Sequence, residues 1–131
     1  MPGYSGTPLP KKLGIKDGFC VRLIDAPADV VRELKAELEQ CHDGKTSLDF
    51  AMIFTKSQSV LAKEFTRVAK QLAPAGMIWV SWPKKRSKVA TDLSEDVIRS
   101  IGLKAGLVDV KVCAVTDIWS GLKFVRRLKD R

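Results

Sequence analysis

A strand, a basic loop and a helix start follow one another in the stretch Trp79-Val-Ser-Trp-Pro-Lys-Lys-Arg-Ser-Lys-Val-Ala-Thr-Asp-Leu-Ser-Glu-Asp96. The apolar run ends at Pro83, and residues 84–88 then carry four cations. Asp92 with Glu95 three residues later predicts a capping box at the start of a helix. A strand that leads through a loop into a helix is the unit of an open α/β sheet, where ligands bind at the carboxyl ends of the strands.

Two more apolar runs, residues 19–24 and 48–54, predict buried strands, and apolar residues at helical spacing follow each of them. Residues 108–115 and 122–125 are separated by a short polar turn, which predicts an antiparallel hairpin. The chain therefore reads as a three-layer, Rossmann-like α/β domain with three helices. Its sheet is expected to be mainly parallel, with about five strands and an antiparallel C-terminal hairpin.

The order of the strands has two readings. Strands that advance in one direction would place every helix on one face and leave the other bare. A single reversal would put the first helix on the opposite face and create a topological switch point. We expect the reversal, because buried parallel strands need cover on both faces.

The chain divides into three parts. Residues 1–18 are rich in Gly and Pro and predict an extended N-terminal arm that ends in a short turn. Residues 19–127 form the single α/β domain, and residues 128–131 are a polar tail. No apolar run approaches the roughly 20 residues that span a bilayer, and the chain does not begin like a signal peptide, so we expect no membrane association and a cytoplasmic protein.

The charged and sulfur-bearing residues set limits on the chemistry. The net charge of +8 favours anionic partners but is also compatible with a merely solvated basic surface. The three cysteines have no spacing typical of a metal site or a redox motif, and we expect no metal. The single histidine, His42, follows the first predicted helix, far from the carboxyl ends of the strands, so we expect no catalytic residues.

The candidate ligand-binding residues lie where the predicted strands end. Asp25 follows the first strand and has two readings: a general base or hydroxyl contact, or the cap of the next helix, which we favour. The basic loop is either an anion-binding rim or a solvated loop, and Trp82 either packs under the arm or stacks on a ligand. The full set is Asp25, Lys56, Trp82, Lys84, Lys85, Lys88, Thr91 and Asp92.

The layout of residues 13–127 resembles the second half of a Rossmann-like methyltransferase. The run Leu72-Ala-Pro-Ala-Gly76 is similar to a helix-to-strand turn of that class, and the closing hairpin is similar to its last two strands. The class holds its cofactor with a Gly-rich loop after the first strand and an acidic residue at the end of the second. Here Asp25-Ala-Pro27 occupies the loop, and no strand is predicted between Gln40 and Ser47, so we expect no cofactor.

Short motifs along nearly the whole chain resemble a family of small bacterial proteins of unknown function. The resemblance implies relatives of about this length and supplies no mechanism. The motifs are Tyr4-Ser-Gly-Thr-Pro-Leu9, Lys12-Leu-Gly-Ile15, Trp79-Val-Ser-Trp-Pro-Lys84, Val89-Ala-Thr-Asp-Leu93, Gly106-Leu-Val-Asp-Val-Lys-Val-Cys113 and Trp119-Ser-Gly-Leu-Lys-Phe124.

The function expected from the sequence is a non-enzymatic, Rossmann-like binding or interaction domain with a basic rim at the carboxyl ends of the strands. Its partner would be an anionic small molecule or a protein, and the chain would be a monomer or a homodimer. One alternative is a degenerate transferase-like binder of a small molecule or nucleotide. The other is non-specific nucleic-acid binding, which we favour less because the tryptophans lie in apolar runs.

Overall fold

The computed structural model describes residues 6–131, which form a single β-sheet with helices packed against it. The apolar runs become its long parallel strands, because fully buried strands read as continuous apolar stretches. The strands are β1 (Cys20–Ile24), β2 (His42–Asp43), β3 (Leu48–Phe54), β4 (Leu72–Pro83), β5 (Leu107–Ala114) and β6 (Trp119–Arg126). The helices are α1 (Leu9–Leu13), α2 (Ala28–Leu38), α3 (Gln58–Ala69) and α4 (Glu95–Lys104), with 3-10 turns at Lys85–Ser87 and Leu128–Asp130.

The strand order in the sheet is β2-β1-β3-β4-β6-β5. Strands β1 to β4 are parallel, whereas β6 is antiparallel to both β4 and β5, as the predicted hairpin requires. The chain passes from β1 outward to β2 and then returns to place β3 on the other side of β1. The expected reversal is therefore present, and the switch point lies between the carboxyl ends of β1 and β3.

Two hydrophobic clusters cover the two faces of the sheet. On one face α3 and α4 pack over the strands, and Phe65 meets Phe124 edge to face with ring centroids 5.1 Å apart. On the other face α1 and α2 pack over Phe50, Met52 and Trp79. The fold is thus the three-layer α/β architecture that the sequence predicts.

Helix α1 replaces part of the predicted arm. Leu9, Leu13 and Ile15 are buried, and the indole Nε1 of Trp79 donates a hydrogen bond to the carbonyl of Leu13 at 2.9 Å. The residues before it, 1–5, lie outside the described part of the chain. Packing on Trp79 explains why so short and proline-rich a segment is helical, because an isolated turn of helix is not stable in water.

The helix starts differ in part from those expected. Ser57 caps α3 by accepting a hydrogen bond from the Val60 backbone N–H at 3.3 Å. Helix α4 is capped by Ser94 instead of Asp92, so the predicted capping box is wrong. Asp25 does not cap α2 either, because that helix begins after Pro27 with no side-chain cap.

Two segments of the sheet were missed by the sequence pattern. The region between Gln40 and Ser47, expected to lack a strand, contains β2, which pairs Asp43 with Val21. Strand β4 begins at Leu72 and runs on through Pro74, with a shift in register against β3 that accommodates the proline. Among residues 6–131, no helix has the length and apolar character needed to cross a membrane.

Candidate functional site

The carboxyl edge of the sheet carries most of the predicted site residues. Asp25 follows β1, Lys56 follows β3, and the basic loop follows β4. The structure does not gather these side chains into one pocket. Asp25 lies beside a groove, and Lys56 takes part in a set of loop contacts. Lys84 lies near Lys12 on the α1 side of the sheet.

Asp25 is exposed and lies in the left-handed region of backbone conformation, with φ of 57°. An L-residue rarely adopts this conformation, and such positions are over-represented at functional sites. Within a methyltransferase-like layout, this is the turn where a glycine-rich loop is expected. Asp25 therefore places a carboxyl group at the switch point.

A groove of about 650 Å³ lies beside Asp25, lined by residues of β1, the end of β2 and α3. Its charged lining is mixed, with two carboxylates and three cations, so it does not favour a simple anion. Arg67 within it is already paired with Glu64 on the same helix. The groove residues are Arg22, Leu23, Ile24, Asp25, Asp43, Gly44, Lys45 and Arg67.

The loop before α4 is fixed onto the turn between β3 and α3. The hydroxyl of Thr91 donates to the carbonyl of Lys56 at 2.6 Å, and the Asp92 backbone N–H donates to the same carbonyl at 3.3 Å. The Asp92 carboxylate accepts from the Gln58 backbone N–H, the first residue of α3, at 2.7 Å. An internal carboxylate therefore occupies the N-terminus of α3, the position where an anionic ligand would otherwise be favoured.

The basic loop presents its cations in two directions. Lys85 and Lys88 are exposed at the rim, and Lys88 closes the 3-10 turn with a φ of 63°. Lys84 is half-buried, and its backbone N–H donates to the Ile118 carbonyl at 2.7 Å. Burial, followed by the charge of Arg86, lowers the pKa of Lys84 from its usual 10.5. The loop is thus anchored to the hairpin while its outer lysines face solvent.

The tryptophans are core residues rather than a stacking platform. Trp79 is fully buried on the α1–α2 side, and Trp82 is 8% exposed within the α3–α4 cluster. Trp79 and Trp82 thus point to opposite faces of the sheet. Trp119 is half-buried, with its ring edge to face with Phe54 at 5.3 Å. Recognition of single-stranded nucleic acid by stacking needs exposed rings, which Trp79 and Trp82 do not offer.

Groups suited to metal or nucleophilic chemistry are not brought together in the described residues. No cluster of three or more His, Cys, Asp or Glu side chains in residues 6–131 is placed to hold a metal ion. His42 is exposed and pairs with Cys20 at the amino end of β1, opposite the rim. Burial raises the pKa of the adjacent Cys41 thiol, which disfavours a reactive thiolate there.

The sequence pattern missed several charged residues that line cavities. Arg22 and Asp43 line the groove beside Asp25, and Lys12 and Lys111 line a second cavity between α1 and β5. Arg22 interrupts the apolar run of β1, and a charge within such a run was the available signal. Asp43 was missed because its strand has only two residues. Lys12 and Lys111 were missed because the contact between α1 and β5 joins residues about a hundred positions apart in the chain.

Solved structures with similar folds include methyltransferases. The magnesium protoporphyrin IX methyltransferase of Synechocystis PCC 6803 with bound SAH has a TM-score of 0.63 at 12% identity, covering 90% of this chain and 78% of that one. The precorrin-6y C5,15-methyltransferase of Geobacter metallireducens has a TM-score of 0.60 at 11% identity, with coverages of 91% and 86%. A SAM-dependent methyltransferase of Aquifex aeolicus has 0.58 at 15%, with coverages of 87% and 85%. At these identities the likeness shows the fold alone.

Family membership rests on a match that spans most of the chain. No curated protein matches the chain. A family model described as a protein of unknown function, DUF3052, matches residues 10–128, from α1 to the last 3-10 turn. This chain of 131 residues has a fold similar to that of methyltransferases. The chain belongs to the DUF3052 family of proteins of unknown function.

Proposed function

We propose that the protein is a non-enzymatic, Rossmann-like binding domain that holds an anionic small molecule at the rim after β4. One observation carries the proposal: the exposed cations of the basic loop lie on a loop fixed at both ends. Lys84 anchors one end to the hairpin, and Thr91 and Asp92 anchor the other to the Lys56 turn. A preorganised loop loses less entropy when a ligand binds than a mobile one.

The cations that would contact the ligand are exposed on this edge. Lys56, Lys85, Arg86 and Lys88 are all exposed, and Asp92 is directed to α3. The binding energy would therefore come from ammonium and guanidinium groups and not from the helix N-terminus. Lysine is a strongly hydrated point charge, so affinity at such a rim is expected to be moderate and to fall with salt.

Calorimetry with ATP tests this proposal. The variant Lys85→Glu/Lys88→Glu should bind ATP at least about tenfold more weakly than the wild type, because charge reversal replaces attraction by repulsion. The matched control is Lys63→Glu/Lys70→Glu, which makes the same change in net charge at exposed lysines of α3 and the turn after it. Equal affinities of the two double variants for ATP would contradict anion binding at the rim.

Two results would replace the proposed small-anion function by catalysis or by nucleic-acid binding. Turnover that disappears in Asp25→Ala, with the fold intact by circular dichroism, would contradict the non-enzymatic assignment. Binding of a DNA duplex whose affinity falls steeply with salt, and falls further in Lys85→Glu/Lys88→Glu, would replace the small anion by nucleic acid.

A second candidate is a degenerate transferase-like binder at the groove beside Asp25. What favours it is the left-handed backbone of Asp25 at the switch point, with a groove of about 650 Å³ next to it. A pocket of this volume is in the range of small-molecule sites. Loss of nucleotide binding in Asp25→Ala, with the rim double variant unaffected, would favour this candidate over the rim.

S-adenosylmethionine itself does not fit the residues present. Asp25-Ala26-Pro27 supplies no glycine where the backbone must approach the cofactor closely. The acidic residue that ends β2, Asp43, pairs with Val21, four residues before Asp25. That places it roughly 13 Å down the strand from the switch point at 3.3 Å per residue, too far to hold a ribose there. Calorimetry with S-adenosylmethionine should therefore show no binding.

A further inference from the structure

A lysine pocket lies between α1 and β5, on the α1–α2 face of the sheet. It has a volume of about 500 Å³, which is more than a single inorganic ion needs. None of the described residues that line it is acidic. They are Thr7, Lys11, Lys12, Lys111, Val112, Cys113 and Ala114.

Two lysines beside this pocket face each other across the hairpin. Lys111 on β5 and Lys123 on β6 are register partners in the antiparallel pair. Like charges directly opposite one another on a sheet are destabilising. Burial, and then the charge of Lys111, lowers the pKa of Lys123. The arrangement is unfavourable for the empty domain, and a bound negative charge would relieve it.

Lys84 does not line the pocket, but it lies close enough for its charge to act on two lining residues, Lys12 and Cys113. Its ammonium nitrogen is buried and has no hydrogen-bond acceptor among residues 6–131. Two neighbouring lysines are held by backbone carbonyls: Lys12 Nζ donates to Ala114 at 3.2 Å, and Lys111 Nζ donates to Lys12 at 3.1 Å. A buried donor without an acceptor is costly, so Lys84 is a group that a ligand oxygen would satisfy.

The thiol of Cys113 marks where the lysine charges converge. Burial raises its pKa, whereas the charges of Lys12, Lys111 and Lys84 all act to lower it. Asp117, in the turn between β5 and β6, opposes the charge at Lys84. The single carboxylate of Asp117 does not balance the charges of Lys12, Lys84 and Lys111, so the pocket is positively charged.

We propose that the lysine pocket binds a small ligand through a doubly charged phosphate or diphosphate group. Such a group carries several acceptor oxygens at short range, and lysine is a common partner for it as a point charge. It would accept from Lys84, offset the repulsion between Lys111 and Lys123, and leave room for an organic part. The site differs from the rim, because its lining comes from α1 and β5 and its nearest basic-loop residue is Lys84, whereas Lys85 and Lys88 are exposed at the rim.

Calorimetry and thermal unfolding with pyrophosphate and inorganic phosphate test the pocket. Pyrophosphate should raise the Tm of the wild type more than sodium chloride of equal ionic strength. Lys111→Gln/Lys123→Gln should bind it about tenfold more weakly, because two cations near the ligand are lost. Without pyrophosphate the same variant should unfold at or above the wild-type Tm, because the repulsion is gone. Lys63→Gln/Lys104→Gln, at exposed positions on α3 and α4, is the control.

The thiol of Cys113 gives a second readout at the pocket itself. In Cys20→Ser/Cys41→Ser it is the only thiol of the chain, which has three cysteines. Pyrophosphate should slow its reaction with a disulfide reagent severalfold, and sodium chloride of equal ionic strength should not. An unchanged rate with saturating pyrophosphate would overturn the pocket.

The two proposed anion sites can fail separately. If Lys85→Glu/Lys88→Glu abolishes pyrophosphate binding and Lys111→Gln/Lys123→Gln retains it, the anion binds at the rim and the lysine pocket is wrong. If Lys85→Glu/Lys88→Glu binds both pyrophosphate and ATP as tightly as the wild type does, the proposal of anion binding at the rim is wrong. The proposal of the lysine pocket is then retained. Equal Tm shifts from pyrophosphate and matched sodium chloride would overturn the pocket whatever the variants do.

Discussion

The carboxylate of Asp92 accepts a hydrogen bond at 2.7 Å from the backbone N–H of Gln58, 34 residues earlier in the chain. A residue that the sequence assigned to the start of α4 thus caps the first turn of α3. Asp92→Ala should lower the free energy of unfolding by about 1 kcal/mol, the usual loss for a helix cap. Asp92→Asn keeps an acceptor oxygen and should lose less. Urea unfolding of both variants measures this, and equal losses would show that the hydrogen bond contributes nothing.

Leu13 should behave as a core residue although it lies in the predicted arm. It is fully buried, whereas Leu128 near the other end of the chain is 80% exposed. Leu13→Ala should cost about 2–5 kcal/mol in unfolding free energy, because it leaves a cavity. Leu128→Ala should change it by less than about 0.5 kcal/mol. Similar small losses in both variants would mean that α1 is not part of the cooperative fold.

Gly102 is required by the close approach of α4 to β6. A Cβ atom at this position would lie 2.1 Å from Cε2 of Phe124, a fully buried ring. Gly102→Ala should therefore cost about 1–3 kcal/mol, although alanine is the better helix former. Ser100→Ala on the exposed part of the same helix is the control. A gain in stability from Gly102→Ala would show that α4 can move away from the sheet at little cost.

The left-handed backbone of Asp25 predicts an unusual preference for glycine. Asp25→Gly should be more stable than Asp25→Ala by about 1 kcal/mol, because an L-residue other than Asn or Asp is strained at this φ. Asp29, within the first turn of α2, is the matched position, and there alanine should be the more stable by a similar amount. Thermal unfolding of the four variants compares the two sites. The same order at both would contradict the left-handed turn.

Stability should depend on pH through the half-buried lysines. The pKa of Lys84 is lowered mainly by burial and then by Arg86, and that of Lys123 by burial and then by Lys111. The folded state therefore releases these two protons at lower pH than the unfolded state. The free-energy cost of holding the two lysines charged in the folded state falls as the pH rises toward 10.5, the usual lysine value. The other charges that act on Lys84 are those of Asp117, Lys12 and Cys113.

The measurement is the slope of unfolding free energy against pH on the alkaline side. The wild type should gain stability, or lose less, relative to Lys84→Gln/Lys123→Gln as the pH approaches 10.5 from below. Lys63→Gln/Lys104→Gln, which removes two exposed lysines, should follow the wild-type slope. Parallel curves for all three proteins would show that burial does not perturb these two groups.

The parts of the fold that were predictable are those with a long apolar signal. Strands β3 and β4 have buried runs that no surface segment would carry, and the need to cover both faces implied the reversal after β1. Strand β2 was missed because two residues carry no pattern, and its position depends on the edge of β1. Helix α1 was missed because its stability comes from Trp79, 66 residues away from the Leu13 carbonyl that it binds.

The candidate site was predictable as a position in the fold but not as a set of contacts. Sequence order alone places Asp25, Lys56 and the basic loop at one edge of the sheet. It does not say that Asp92 turns toward α3 or that Lys84 turns toward Cys113, because side-chain direction depends on neighbours far away in the chain. The sequence also does not decide the role of Trp82, because an aromatic residue at the end of a strand can either contact a ligand or pack in the core.

The hydrogen bond from Trp79 to Leu13 gives the protein an internal optical signal. An indole that is fully buried and bound to a carbonyl emits differently from one in water, and the hydrogen bond of Trp79 forms only while α1 is in place. The wavelength of tryptophan emission can therefore report whether a fusion at the N-terminus, or a ligand in the lysine pocket beside α1, displaces that helix before the sheet itself unfolds.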